Sequence, residues 1–564
     1  MKKHKIIFTL MLLIGMIQYG GAQVVLTDSQ AGQLVEKTSL VTDRDIYAVG
    51  ETIQFSAVNC SSTALKNAEW SNVLYVELVA PDGESISRKK FAYDTDGASG
   101  SLLVPKWTLT GNYYVRAYTR WMRDFSAYNY FYKPVTVINS TKAELLELVE
   151  AKNGSSEAGH ENTDTADAGS VSIKIGKPAY KKREAVDVSI DLKSSAGMSG
   201  NYTVSVIPEG AFILGNKAKI KDGGVQFSSD YIPETRGLSV SGTVVSQQDS
   251  LPLPYSHVAL TVFKENPENF NVLSDAKGQF FFDLSKLKGA YEIFISADAS
   301  DGKHPVILVD NDFSTAPVSL PFIPVDLSPE KLKVYQQLAF NSQMEQLYQQ
   351  QKVTEEIRSF SSDSAFYGKP DFVLKFDKFI DLPTMQDYFY ELVPQVRVRE
   401  HNDIAEINVL GDHSELEIYD PLVLIDMVPI FDMERVLALQ PEKLERIEVV
   451  TTPYVRGGII FGGIVSLFSR KGDLAGIDLP SAGRFITYNM LSEDSVPPLP
   501  DHQMKHVPDL RNCLYWNPDL KVTSGHAVSF SFSTGDSTGK FVVVVQYLNE
   551  NGEVKVAVQD FEIN

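Results

Sequence analysis

Cysteine is almost missing from this chain: Cys60 and Cys513 are the only two in 564 residues. That excludes a disulfide framework and leaves open either one long-range bridge or two small buried thiols. An excess of basic charge is missing too. Lys and Arg number 52 against 72 Asp and Glu, a formal net charge of −20, which argues against nucleic acid and anionic lipid as partners. After the first two dozen residues no stretch approaches the about eighteen consecutive apolar residues of a membrane helix, so no integral membrane span is expected in the mature chain. Signature motifs of catalysis are also absent. YVRGGIIFGG has the glycines of a phosphate loop without its lysine and serine or threonine, and no Gly-x-Ser-x-Gly ties a nucleophile to a strand-turn-helix. Nothing points to an enzyme, and no cofactor or metal is expected.

What is present begins with a secretory signal over residues 1–22. Lys2, Lys3 and Lys5 precede the apolar run IIFTLMLLIGMI and small residues up to Ala22, so the mature chain is expected to start at Gln23. Its length predicts three to five domains. From 23 to 139 aromatic and β-branched residues alternate with polar ones, with turns at PDGE, DTDG and LTGN, which predicts a β-sandwich. Residues 140–170 contain AKNGSSEAGHENTDTADAG, too polar and acidic to bury a core, and read as a linker. Strand patterns resume over 171–236 and 237–325. SPEKLKVYQQLAFNSQMEQLYQQQ then predicts a helical connector within 326–370, with Ser328 as N-cap, Pro329 as first helical residue, and Leu332, Tyr335, Leu338 and Leu347 on one face. Residues 371–480 read as a small α+β unit and 481–564 as a C-terminal β domain.

Several stretches resemble known families. TDRDIYAVGETIQFSA and GNYYVRAYTRW resemble the opening and closing strands of macroglobulin-like domains, with Val49 in the place of the family's proline. VSIKIGKPAYKKREAVDVSIDL with NYTVSVIP resembles the start of a second one, and the last 84 residues resemble a terminal one. Protease-trapping members carry a Gly-Cys-Gly-Glu-Gln thioester, which VNCSS and RNCLY lack, so covalent trapping is not implied. Residues 237–325 resemble the transthyretin-like carboxypeptidase regulatory-like domain, a module without peptidase residues. PLVLIDMVP, LERIEVV, YVRGGIIFGG and IVSLFSRK resemble, in that order, the plug domain of TonB-dependent outer-membrane receptors. Met427 stands where those receptors have a glycine, so the turn is not expected to take a glycine-only conformation. Only 93 residues follow Lys471, whereas a receptor barrel needs about twenty-two strands of about ten residues. The resemblance thus implies a plug-like unit without its barrel, in a multidomain exported protein of Gram-negative bacteria. The expected fold class is mainly β and multidomain: macroglobulin-like and transthyretin-like sandwiches with one small α+β plug-like domain.

Candidate sites are few. His502 and His506 are four apart in DHQMKHVPD, but Pro508 argues against the helix that would align them on a metal. Asp94, Asp96 and Gly97, like Asp298 and Asp301, open a calcium-type loop without its further carboxylates and read as hairpin turns. Asp426 ends a strand and reads as a turn residue. Two surfaces are candidates for interaction. The first is Tyr454, Arg456 and Phe461 in the glycine-flanked turn, where side chains can project and where Tyr and Arg suit an interface. The second is the aromatic run 118–134, with Tyr118, Trp121 and Tyr128, which either packs a core or leaves one face exposed. The implied function is a non-enzymatic cell-envelope scaffold that docks an envelope or outer-membrane protein, in the periplasm or at the outer membrane. The alternative is a periplasmic or surface module binding glycan or peptide.

Overall fold

A computed structural model describes residues 36–564 apart from 61–69, 148–170, 193–199, 225–226, 229, 266, 285–286, 300–302, 350–364, 380, 402–403, 457, 477–481, 494–506, 522–526 and 550. The expected signal, residues 148–170 of the linker, His502, His506 and Asp301 lie outside the described residues. The fold is mainly β, built from three sandwiches and one α+β unit.

The N-terminal sandwich faces a three-stranded sheet, Thr38–Thr42, Thr52–Asn59 and Ala98–Leu103, with a five-stranded sheet that runs from Ile46–Ala48 through Phe131–Ile138, Gly111–Tyr118 and Val73–Val79 to Ser85–Ala92. Alternating apolar residues such as Ile53, Phe55, Val76, Leu78 and Val115 fill the space between them. The DRDIYAVGE stretch explains itself in buried polar chemistry. Asp43 accepts from the Tyr47 hydroxyl (2.7 Å) and the Gln54 N–H (3.0 Å), while Arg44 pairs with Asp43 (2.8 Å) and Glu51 (2.9 Å). Asp45 takes the Ile213 N–H at 2.7 Å and pairs with Lys133 at 2.8 Å. Gly50 adopts φ +87 between these groups, a conformation suited to glycine.

The two stretches expected to form separate domains, 171–236 and 481–564, instead share one sandwich. Gly200–Pro208 pairs antiparallel with Gly539–Asn549 over nine residues, and Ala185–Leu192 pairs with Val528–Ser533. Their common core holds Val186, Val188, Val204, Phe532, Val543 and Phe561. Neither half has strands enough to cover its own apolar face, and alternation reveals a buried face without revealing what buries it. Past Glu209 the chain leaves this sandwich and meets the N-terminal one, where Ser228 N–H bonds the Asp124 carbonyl at 2.8 Å and Asn72 N–H the Glu234 carbonyl at 2.6 Å.

A middle sandwich pairs Gln279–Leu284, Leu238–Ser246 and Pro305–Val309 in one sheet. The other sheet holds Glu268–Leu273, His257–Phe263, Ala290–Asp298 and, arriving much later in the chain, Arg484–Asn489. That last strand corrects the boundary at 481: it pairs with Ala290–Asp298 over six residues. Between the two lies the α+β unit. Its mixed sheet runs Phe372–Lys375, Leu444–Val450, Ile464–Ser469, Leu422–Ile425 and Val428–Pro429, flanked by Met385–Leu392, Glu415–Ile418 and Met433–Leu437. Thr384 caps the first of these helices in a reciprocal box with Asp387. The modules are therefore nested: the α+β unit is inserted in the middle sandwich, and the middle sandwich in the split one.

The helix Pro329–Gln349 does more than connect. Tyr335, Leu338 and Ala339 are buried against Ile46 and Ile138 of the N-terminal sandwich and Val542 and Val544 of the split one. Leu332 and Leu347, expected on the same face, are exposed. Asn512 locks this wedge, donating to the Leu338 carbonyl and to Glu51 and accepting from Asn341, at 2.8, 2.8 and 2.9 Å.

Candidate functional site

The aromatic run offers no free face at Tyr118, which is fully buried. Its ring stacks between Tyr75 (5.6 Å) and Tyr130 (4.4 Å), and its hydroxyl donates to Glu77 at 2.6 Å while accepting from the Ser314 N–H at 2.7 Å. Glu77 is also paired with the buried Arg116 at 2.7 Å. Trp121 lies half-buried against Phe227 (5.5 Å), and the Tyr128 hydroxyl accepts from the Ser319 N–H (3.3 Å). The exposed-patch expectation is thus corrected. Phe227 and the segment 312–321 cover these rings and make the run a seam between the N-terminal and middle sandwiches. Nothing in the local alternation of 118–134 could reveal a covering strip from another part of the chain.

The second expected surface is also engaged within the molecule. Tyr454–Arg456 and Ile459–Phe461 form a short hairpin whose Tyr454 is half-buried on Phe366 at 5.8 Å. Arg456 places its guanidinium over the Phe270 ring at 4.9 Å, and Phe461 is buried near His257, 5.7 Å away. Phe270 and His257 belong to the middle sandwich, so these side chains seat the α+β unit instead of projecting into solvent. Further seating comes from the Thr261 hydroxyl, which donates to the Met427 carbonyl at 3.1 Å, and from His257 against Phe431 at 4.7 Å. Burial lowers the His257 pKa, so the ring favours its neutral form there.

The Asp426 carboxylate accepts from Ser469 N–H (2.7 Å), Ser469 hydroxyl (2.6 Å) and Leu474 N–H (2.8 Å), the work of a turn residue. Asp426 and Met427 take φ +47 and +68, so the turn adopts left-handed geometry despite lacking the glycine. Asp94 and Gly97 close a hairpin turn with reciprocal backbone bonds of 3.0 and 3.1 Å. Cys60 and Cys513 are free thiols, and burial pushes the Cys60 pKa up to about 12. Among the described residues no group of three His, Cys, Asp or Glu converges as a metal site.

A cleft that the sequence did not indicate lies where three parts meet: the N-terminal sandwich, the middle sandwich and the 454–461 hairpin. It measures about 430 Å³. Buried Arg120 forms its floor, donating to the Ser241 hydroxyl (2.6 Å) and the Ser239 hydroxyl (3.2 Å), and Ser241 is bonded in turn to the Asp310 carboxylate. Behind it Glu234 accepts from Tyr75 (2.9 Å) and from the Ser239 N–H (2.8 Å), and burial raises its pKa. Val272, Phe280 and Phe281 of the middle sandwich and Ile459 of the hairpin supply apolar walls. At the mouth Ile232 and Leu273 are 54% and 55% exposed, beside exposed Asp230, Asp275 and Asp310. Volume and lining suit a ligand that is mostly apolar with a few polar anchors. Its residues come from six separated segments, which is why no spacing motif marks it.

No protein-family model and no curated protein sequence matches the chain. Among solved structures it is similar to Salmonella alpha-2-macroglobulin reacted with methylamine, at 9% identity and a TM-score of 0.24, covering 94% of this chain and 39% of that one. It is similar to the native conformation of Escherichia coli alpha-2-macroglobulin at 9% identity and a TM-score of 0.24, covering 94% and 40%. The D0-D1 domain of intimin aligns at 14% identity and a TM-score of 0.14, covering 49% and 98%. The chain thus spans about two fifths of the length of the two macroglobulins. Likeness at these scores transfers no residue role.

Proposed function

We propose that the protein is a non-enzymatic scaffold of the cell envelope, exported to the periplasm or the outer membrane, whose α+β unit docks another envelope protein. One observation carries this reading: an apolar group left exposed at the hairpin end of that unit. Ile418 is 70% and Val455 61% exposed, with Tyr419 beside the first and Ile460 paired across the hairpin from the second. The two parts adjoin, since Gly462 N–H bonds the Asp420 carbonyl at 2.9 Å and a Cβ on Gly462 would strike the Tyr419 carbonyl. Exposed apolar side chains gathered at one end of a packed unit suit an interface. The plug-like order of PLVLIDMVP, LERIEVV and IVSLFSRK supports placing that interface at the outer membrane. The test is recovery of partners from detergent-treated envelopes with wild type and with an Ile418→Asp, Val455→Asp variant. The variant should keep its fold and lose the partner; undiminished recovery would remove this surface.

A second reading, a module that binds peptide or glycan, draws on the three-part cleft and no longer on the covered aromatic run.

A further inference from the structure

We infer that the cleft between the N-terminal sandwich, the middle sandwich and the 454–461 hairpin binds an extended peptide segment of basic and apolar residues from another protein, its main chain lying along the free edge of Gln279–Leu284. The inference rests on the second reading and names its ligand.

The first argument is the edge. Gln279–Leu284 pairs on one side with Leu238–Ser246, and no strand among the described residues pairs on the other. The bond from Val244 N–H to the Gly278 carbonyl (2.8 Å) sets the alternation, so Phe280 and Phe282 turn their peptide groups toward the partner strand. Gln279 is satisfied by Asp275, through its carbonyl (2.8 Å) and its N–H (2.8 Å). Phe281 is left with its peptide N–H and C=O on the open side, and Gln279, Phe280 and Phe281 all line the cleft. An open edge beside a walled cleft is the arrangement that accepts an added strand, main chain on the edge and alternate side chains in pockets.

The second argument is charge. Every exposed ionised group of the lining is acidic: Asp230, Asp275 and Asp310. Among the described residues of the lining the one cation, Arg120, is buried and donates to Ser239 and Ser241. A chain with a formal charge of −20 also steers basic partners toward it. An acidic peptide would meet three carboxylates, with no exposed cation among the described lining residues to answer them. A lysine or arginine can lay its aliphatic stem on Ile232, Leu273 or Phe281 and keep its charged end among the aspartates. A glycan would leave the apolar walls and the strand edge unused.

The test uses the full mature chain and a fluorescent synthetic peptide alternating valine with lysine and arginine. Controls are its glutamate counterpart, an N-methylated basic version that cannot complete the edge bonds, and a neutral xylan oligosaccharide. Ile232→Lys with Leu273→Lys puts two cations at the mouth on exposed positions, so folding should be unaffected. The basic peptide should bind, the glutamate peptide should not, and both the N-methylated peptide and the double variant should lose about tenfold in affinity or more. Equal binding of the glutamate peptide, or an unchanged double variant, would overturn the basic assignment while leaving a peptide site. Full affinity of the N-methylated peptide would overturn the edge. Binding of the oligosaccharide alone, or of no probe, would end both the inference and the peptide reading.

Discussion

Asp124 accepts from the Ser228 hydroxyl (3.0 Å), the Asp230 N–H (2.8 Å) and the Tyr231 N–H (3.0 Å). Burial outweighs these bonds and raises its pKa from 3.8 to about 6. A folded pKa above the unfolded one means that folding favours the protonated form. The contribution is therefore complete below pH 3.8 and is lost as pH rises through about 6. Wild type minus Asp124→Asn should show a stability difference that declines across that window, read as urea midpoints at successive pH values. A flat difference would show that the carboxyl titrates normally. Asp230 stands at the mouth of the acidic cleft, and loosening there should also be felt at Tyr231, whose ring lies 4.0 Å from the Arg123 guanidinium.

The turn from Leu422–Ile425 into Val428–Pro429 shows how an element can keep a shape its residues resist. A non-glycine residue in the left-handed region is disfavoured by about 1–2 kcal/mol, yet Asp426 and Met427 both sit there. Three hydrogen bonds hold the Asp426 carboxylate, and the Met427 side chain is completely buried. Met427→Gly would relieve the backbone but remove a buried side chain worth about 2–5 kcal/mol, so a net loss of about 2 kcal/mol is expected. A thermal or urea transition at or above wild type would mean that the strain outweighs the packing. The sequence made this element legible up to the turn. PLVLID shows a buried strand by its unbroken apolar run, and Asp426 could be assigned to the turn. The left-handed pair could not, because the bonds that enforce it come from Ser469 and Leu474, over forty residues away. The hairpin at Tyr454 likewise was visible from its glycines, while its cover, Phe270 and His257, lies in another module. DRDIYAVGE marked a sandwich opening correctly, but the reach of Glu51 to Asn512, which also bonds the helix at the Leu338 carbonyl, belongs to a docking that no local pattern encodes.

At the scale of the molecule, strand pairing across nested modules makes stability unequal in a definite order. The inner α+β unit closes on itself, whereas the split sandwich needs both of its distant halves. A chain ending after residue 510 should keep slow amide exchange in Ile464–Ser469 and Ala290–Asp298 and lose it in Gly200–Pro208. Retained protection in Gly200–Pro208 would show that the first half finds its fold alone. The nesting also imposes a timetable on a newly made chain. Between Pro208 and Gly539 lie 330 residues, which take about 17–66 s to synthesise at about 5–20 residues per second. Throughout that wait the apolar strand YTVSVIP has no mate, with Pro208 as its one built-in deterrent to pairing with a stranger. The first half of the split sandwich is thus among the earliest parts made and the last to be safe, and a holding chaperone would be needed most at Gly200–Pro208.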